Sequence, residues 1–145
     1  MEALATIDID APPQVVWDIL VDLERYGEWN PFVTRVKGQA SVGAPVTLTV
    51  TMGGRVVKQR LVIRTLEPPS TLVWTIPAEN SLILRGGRTQ RIEDLGGGRC
   101  RYISREELLG LASPVIGLFT KTSIQRGMEA GAKALKARAE ARKGA

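Results

Sequence analysis

The sequence predicts an α+β domain: seven antiparallel strands, two short helices after the first of them, and one long helix at the C-terminal end. Three observations lead there. Apolar and polar residues alternate with period two through the middle of the chain, the pattern of strands that bury one face. Gly53-Gly54, Pro68-Pro69 and Gly96-Gly97-Gly98 interrupt this alternation as turns do. After Ile9, briefly, and after Ser113, at length, the apolar spacing becomes helical. The 145 residues, 43% of them apolar, fit one domain over 1–145. A chain of this length buries about 70% of its unfolded surface.

Taken in order, a first strand ends at Ile9. Asp10 is placed to cap a helix whose first turn holds Pro12 and Pro13, where a missing N–H goes unpaired in any case. Val15, Val16, Ile19 and Leu20 supply its buried face. Asp22 is expected to start a second short helix and Gly27 to end it, with Tyr26, Trp29 and Phe32 forming an aromatic cluster. Val46, Leu48, Val50 and Met52 alternate with Thr47, Thr49 and Thr51. A strand is predicted over 55–66, although Val56, Val57, Leu61, Val62 and Ile63 do not keep one parity. Leu72, Trp74 and Ile76 alternate again, and two more strands are predicted over 82–94 and 100–109. Ser113 is placed as N-cap of the final helix with Pro114 at its first position. Its buried face is predicted to hold Ile116, Phe119, Thr120, Ile124, Gly127, Met128, Gly131 and Leu135.

Several chemistries are excluded by what the chain lacks. Without histidine there is no Ser-His-Asp triad, no Cys-His dyad and no histidine metal site. The single Cys100 lies in an apolar strand pattern and is expected to be an inert thiol, and no metal is expected. No phosphate-binding or dinucleotide fingerprint occurs, so no cofactor is expected. The longest uncharged run, 108–120, is too short to span a bilayer and contains Pro114. The N-terminus lacks the basic and apolar regions of a signal peptide, which makes cytoplasmic the expected location. The net charge of +5 collects from Lys121 onward, where seven Lys/Arg face two Glu. Lys133, Lys136, Arg138, Arg142 and Lys143 are read as a solvated helix face, not a nucleic-acid site, because no aromatic side chains interleave with them.

The opening block, with Ala11, Pro12, Val16, Trp17, Asp22, Trp29, Asn30 and Pro31, resembles the start of the polyketide cyclase/dehydrase and lipid-transport superfamily, also called START-like or SRPBCC. The segment of Glu106, Leu108 and Gly110 that leads into the last helix extends the resemblance over nearly the whole chain. It implies a helix-grip fold, in which a curved seven-stranded antiparallel sheet wraps around the long C-terminal helix and leaves a cavity between them. Relatives carry mostly aromatic and aliphatic inward residues where this chain has Arg88, Gln90 and Ile92.

Strand parity selects the inward faces. Arg91 and Glu93 face solvent, which turns Arg88, Gln90 and Ile92 inward. Arg99, Arg101 and Arg105 do the same for Cys100, Tyr102, Ser104, Glu106 and Leu108. A loop of Gly96, Gly97 and Gly98 pairs Leu95 with Arg99, and in register Ile92 with Tyr102, Gln90 with Ser104, and Arg88 with Glu106. An inward Arg88–Glu106 pair is either an internal ion pair that holds the sheet or a contact for a ligand. The candidate ligand-binding residues are Trp29, Phe32, Trp74, Arg88, Gln90, Tyr102, Ser104, Glu106, Phe119, Ile124 and Met128. The aromatic and aliphatic members among them are equally core residues. Gly127 and Gly131 are expected to allow close packing on the last helix or room for a ligand.

Three functions fit this reading. The first is binding of a small hydrophobic or amphipathic molecule such as a lipid, isoprenoid or polyketide. The second is a polyketide cyclase, aromatase or dehydratase, with Glu106 as acid or base, Tyr102 as donor and Arg88 steadying a developing oxyanion. The third, implied by relatives that activate heat-shock proteins or resemble toxins, is a protein-interaction module.

Overall fold

The computed structural model describes residues 1–143. Strand β1 (Glu2–Ile9) is followed by helix α1 (Pro13–Val21), a 3-10 helix (Leu23–Glu28) and strand β2 (Val33–Gly38). Strands β3 (Pro45–Met52), β4 (Arg55–Glu67), β5 (Thr71–Thr75), β6 (Arg85–Gly96) and β7 (Arg99–Leu109) come next, and helix α2 (Ser113–Lys143) closes the chain. The sheet is antiparallel throughout, in the order β1-β7-β6-β5-β4-β3-β2. Consecutive strands pair except β1 and β2, which form opposite edges joined by α1 and the 3-10 helix. Helix α2 packs on β1, β7, β3 and α1. This is the helix-grip arrangement expected from the sequence.

The core forms where inward parity and helical spacing meet. Ile9, Cys100, Ile63, Leu72, Trp74, Val46 and Leu48 are buried on the sheet, and Ile124, Met128 and Leu135 on α2. Ala3 and Ala5 are the small buried residues of β1, the strand beneath much of α2. Strand β2 has no clear period-two signal, and a register shift between Val33 and Arg35 is the reason: it places Val33 and Val36, three residues apart, on the buried side. Its start is set by Asn30, whose Oδ1 accepts from the N–H groups of Phe32 at 2.9 Å and Val33 at 3.0 Å. A second irregularity, between Ile63 and Thr65 of β4, accounts for the mixed parity there.

Several local expectations are corrected. Pro12, not Asp10, occupies the N-cap position of α1, and no side chain caps it; Asp10 instead pairs with Lys143 at 2.7 Å. Asp22 also makes no cap bond and pairs with Arg25 at 3.3 Å. Gly27 lies inside the 3-10 helix, where a Cβ would come 2.8 Å from the Thr34 carbonyl oxygen, so its role is close approach to β2. The predicted strand 82–94 starts only at Arg85, because Ser81 Oγ accepts from the N–H groups of Ile83 and Leu84 at 3.2 Å and turns the chain. Ser113 Oγ donates backwards to the Gly110 carbonyl at 2.8 Å, so it does not cap α2.

Phe119 is 78% exposed, against its expected place in the core. In these first turns Ile116, Gly117 and Thr120 are only half-buried, and an open groove separates Phe119 from Met52, Arg55 and Val57. Nor is the basic C-terminal half of α2 simply solvated. Arg138 pairs with Glu28 at 2.7 Å, Lys143 with Asp10, and Lys136 with Glu140 at 2.7 Å while also donating to the Asp8 carbonyl. No helix among the described residues is long and apolar enough to cross a membrane.

Candidate functional site

The candidate site is built on the inward face of β5, β6 and β7. Trp74 lies opposite Arg88, which lies opposite Glu106, and one step along Leu72, Gln90 and Ser104 form the next row. The register is the predicted one, although the loop that sets it is not. Gly96 pairs with Arg99, and Asp94 with Cys100. Leu95 is therefore the extra residue of a bulge, and the turn itself holds only Gly97 and Gly98, with φ of 64° and 76°. Positive φ at both central positions is what a two-residue hairpin turn needs. A shorter loop and one bulged residue cancel, which leaves Ile92 opposite Tyr102 as the three-residue loop required.

Arg88 Nε donates to Glu106 Oε2 at 3.1 Å, and both side chains are about nine-tenths buried. The guanidinium also lies over the Phe32 ring, 5.3 Å from its centroid, an arrangement that favours a cation on a π face. Tyr102 donates to Gln90 Oε1 at 2.6 Å, while the Gln90 NH2 is buried with no acceptor among the described residues. Burial raises the Tyr102 phenol above its ordinary value of 10.0 despite the opposing effect of Arg88, so it stays a neutral donor. Tyr26 is raised further by the same cause and donates to the Leu20 carbonyl. Burial also pushes the Cys100 thiol up to about 11, which removes it as a nucleophile at neutral pH.

The aromatic residues pack as a wall behind this row. Trp29 lies 5.0 Å from Tyr26, and Tyr26 lies 6.5 Å from Trp74, ring centre to ring centre. The indole N–H of Trp29 is buried without a partner among the described residues. Gly127 of α2 faces the Phe32 ring so closely that a Cβ there would overlap it, and Gly131 faces the Asn30 side chain. The two glycines thus receive the Asn30–Phe32 segment, not the sheet and not open space.

Open volume lies to one side of this filled centre. A cavity of about 240 Å3 is bounded by Leu61, Ile76, Leu84 and Leu108, with Gln59, Arg60, Gly87 and Glu106 completing its wall. An adjoining groove of about 340 Å3 runs between Met52, Arg55 and Val57 of the β3–β4 hairpin and Phe119, Thr120 and Ser123 of α2. Val57, Gln59 and Leu61 share one face of β4 and connect the two. Of the residues selected from the sequence, Glu106 lines the cavity and Phe119 the groove. Arg88 sits behind Glu106; Phe32, Trp74, Gln90, Tyr102, Ser104, Ile124 and Met128 are buried, and Trp29 is half-buried. Leu108 and Ile76 carried an inward-parity signal as wall residues. Leu84 shares the parity of Arg88 but follows a turn, and Gln59 and Arg60 carried no signal, being polar residues on an otherwise exposed stretch.

Solved structures share this architecture across the chain. The Zhui aromatase/cyclase of Streptomyces sp. R1128 is 19% identical with a TM-score of 0.80, covering 99% of this chain and 95% of that one. A START superfamily protein from Mycobacterium smegmatis is 18% identical with a TM-score of 0.74, covering 97% and 98%. Norcoclaurine synthase of Thalictrum flavum is 13% identical with a TM-score of 0.74, covering 99% and 96%. At these identities the likeness concerns the fold. No curated protein sequence matches significantly. The family model described as polyketide cyclase / dehydrase and lipid transport matches residues 2–140, and with the grip of sheet on helix already in view, the chain belongs to that family.

Proposed function

We propose that the chain binds a small, largely apolar molecule carrying a hydroxyl group, with the apolar part against Leu61, Ile76, Leu84 and Leu108 and the hydroxyl donating to Glu106. The observation that carries this is a largely apolar cavity of about 240 Å3 whose wall holds a single carboxylate, Glu106, with Arg60 as its other charged side chain. Arg88 Nε engages Glu106 Oε2, which leaves Oε1 to accept from a ligand. A ligand carboxylate at Glu106 would set two anions together, so the group that meets this side chain is a donor and not an acid. Binding sites for small molecules commonly measure about 300–1,000 Å3. The cavity alone suits a compact molecule, and with its adjoining groove it reaches that range. Two of the similar folds are named as an aromatase/cyclase and a norcoclaurine synthase.

A catalytic reading rests on the same carboxylate, with Glu106 taking a proton from a bound polyketide-like substrate. Tyr102 is less available to it, since its proton is held by Gln90 and it does not line the cavity. Binding therefore stands first. Calorimetric titration with 2-naphthol and 2-naphthoate tests it. The alcohol is expected to bind at one per chain, at least tenfold more tightly than the acid. Leu84→Trp, which fills the cavity without touching the ion pair, should abolish the heat. Equal affinity for both probes, or binding that survives Leu84→Trp, would refute the assignment.

A further inference from the structure

Exposed apolar side chains cluster beside the cavity and groove. Leu82, Ile83, Leu111, Val115, Leu118 and Phe119 are between 59% and 80% exposed. They are neighbours through the backbone: the N–H groups of Leu111 and Ala112 donate to the carbonyls of Leu82 and Ile83, each at 2.9 Å. Leu84 of the same loop forms the cavity wall, and Phe119 borders the groove opposite Arg55 and Val57. Single exposed apolar residues need no explanation, but a cluster around an opening marks an interaction surface.

Charge is sorted in the same way. Residues 29–66 contain six Lys/Arg and no Asp/Glu, and residues 108–128 contain Lys121 and Arg126 and no Asp/Glu. Arg55, Lys58, Arg60 and Lys121, on the two elements that flank the mouth, have no ion-pair partner among the described residues. Most of the acids are elsewhere: residues 1–28 hold seven against one Arg, and several meet the C-terminal half of α2, while near the mouth Glu106 is paired with Arg88 and Glu79 with Arg64. One end of the molecule is thus internally neutralised, and the other is basic and apolar.

We propose that this end docks on an anionic lipid bilayer. The leucines and Phe119 enter the boundary between headgroups and acyl chains, and the four unpaired cations meet the anionic headgroups around them. A second copy of the chain fits poorly, because a two-fold contact would bring Arg55, Lys58 and Lys121 against their own counterparts. The apolar residues also lie beside an opening on separate segments, a shape that a deformable bilayer fills and a folded protein surface does not. Docked in this way, the cavity opens towards hydrocarbon, so a ligand enters without crossing water. That consequence rests on the binding function proposed above; the docking itself does not.

Co-sedimentation with vesicles of equal parts phosphatidylglycerol and phosphatidylcholine, and with phosphatidylcholine alone, tests the inference. The wild-type protein is expected to pellet with the anionic vesicles only. Leu111→Glu/Leu118→Glu should leave it in the supernatant. Arg55→Glu/Lys121→Glu should weaken binding at least tenfold, since each basic residue near such a surface contributes about fivefold. Wild-type protein that stays in the supernatant overturns the inference, as does equal pelleting of the variants. A dimer dissociated by Leu111→Glu/Leu118→Glu would also overturn it. Titration with 2-naphthol without vesicles separates the two proposals: naphthol binding without vesicle binding sinks docking alone, and the reverse sinks the cavity assignment alone.

Discussion

Arg88 and Glu106 stand at the same level on adjacent strands, and each is buried enough that neither can be left alone with its charge. Removing one partner of such a pair costs roughly 3–5 kcal/mol, because the remaining ion keeps its desolvation penalty. Arg88→Ala should approach the lower end of that range, since Glu106 retains access to the cavity. Combining it with Glu106→Gln should recover at least 1 kcal/mol in urea denaturation, as expected when two residues act as one unit. Strictly additive losses would show that the two side chains stabilise the fold independently. At this scale parity was legible: period two predicted which residues of β6 and β7 turn inward, and they do. What parity does not report is depth. Arg88, Gln90, Tyr102 and Glu106 share a face, yet only Glu106 reaches the open volume. The side chains that fill the rest, Phe32 and Tyr26, come from another part of the chain.

Helix α2 shows how an element's pattern is read correctly and its partners missed. The Gly127–Gly131 spacing signals close approach, but the approaching group is the Asn30–Phe32 segment. Gly127→Ala should destabilise by about 1–3 kcal/mol, because the overlap with Phe32 outweighs the roughly 1 kcal/mol that alanine gains in a helix. Gly131→Ala meets Asn30 Oδ1 at 3.3 Å and should change stability by less than about 1 kcal/mol. Equal losses in thermal melts would contradict the packing described. The first turns of α2 carry the same lesson. Helical spacing placed Phe119 on the buried face, but the groove between it and the β3–β4 hairpin stays open and leaves it exposed.

Across the whole molecule, acids of the N-terminal segment hold the C-terminal half of α2. Hydrogen bonds from Arg101, Lys143, Arg138 and Lys136 hold the carboxyls of Asp8, Asp10, Glu28 and Glu140, respectively, below their ordinary values of 3.8 for Asp and 4.5 for Glu. A carboxyl lowered in the folded state stabilises it fully above the ordinary value and loses that contribution as pH falls through the folded one. The melting temperature should therefore be level down to about pH 5 and fall below about pH 4. Asp10→Asn/Glu28→Gln should flatten that fall; a variant as acid-sensitive as wild type would show that these pairs do not clamp the helix. Read as a sequence, the basic tail was a solvated face, because nothing local says that acids more than a hundred residues away will meet it.

The sequence by itself determined the fold class, the inward faces of β6 and β7, the Arg88–Glu106 register and the resemblance to the family. All of these rest on short-range periodicity, turn residues and local motifs, which are properties of neighbouring residues. Only the tertiary structure decided where the space is. The filled centre, the cavity beside Leu61 and Leu108, the exposed Phe119 and the paired cations of α2 depend on which distant segments share a volume. Burial and charge pairing are set by that sharing, and no window of the chain contains it.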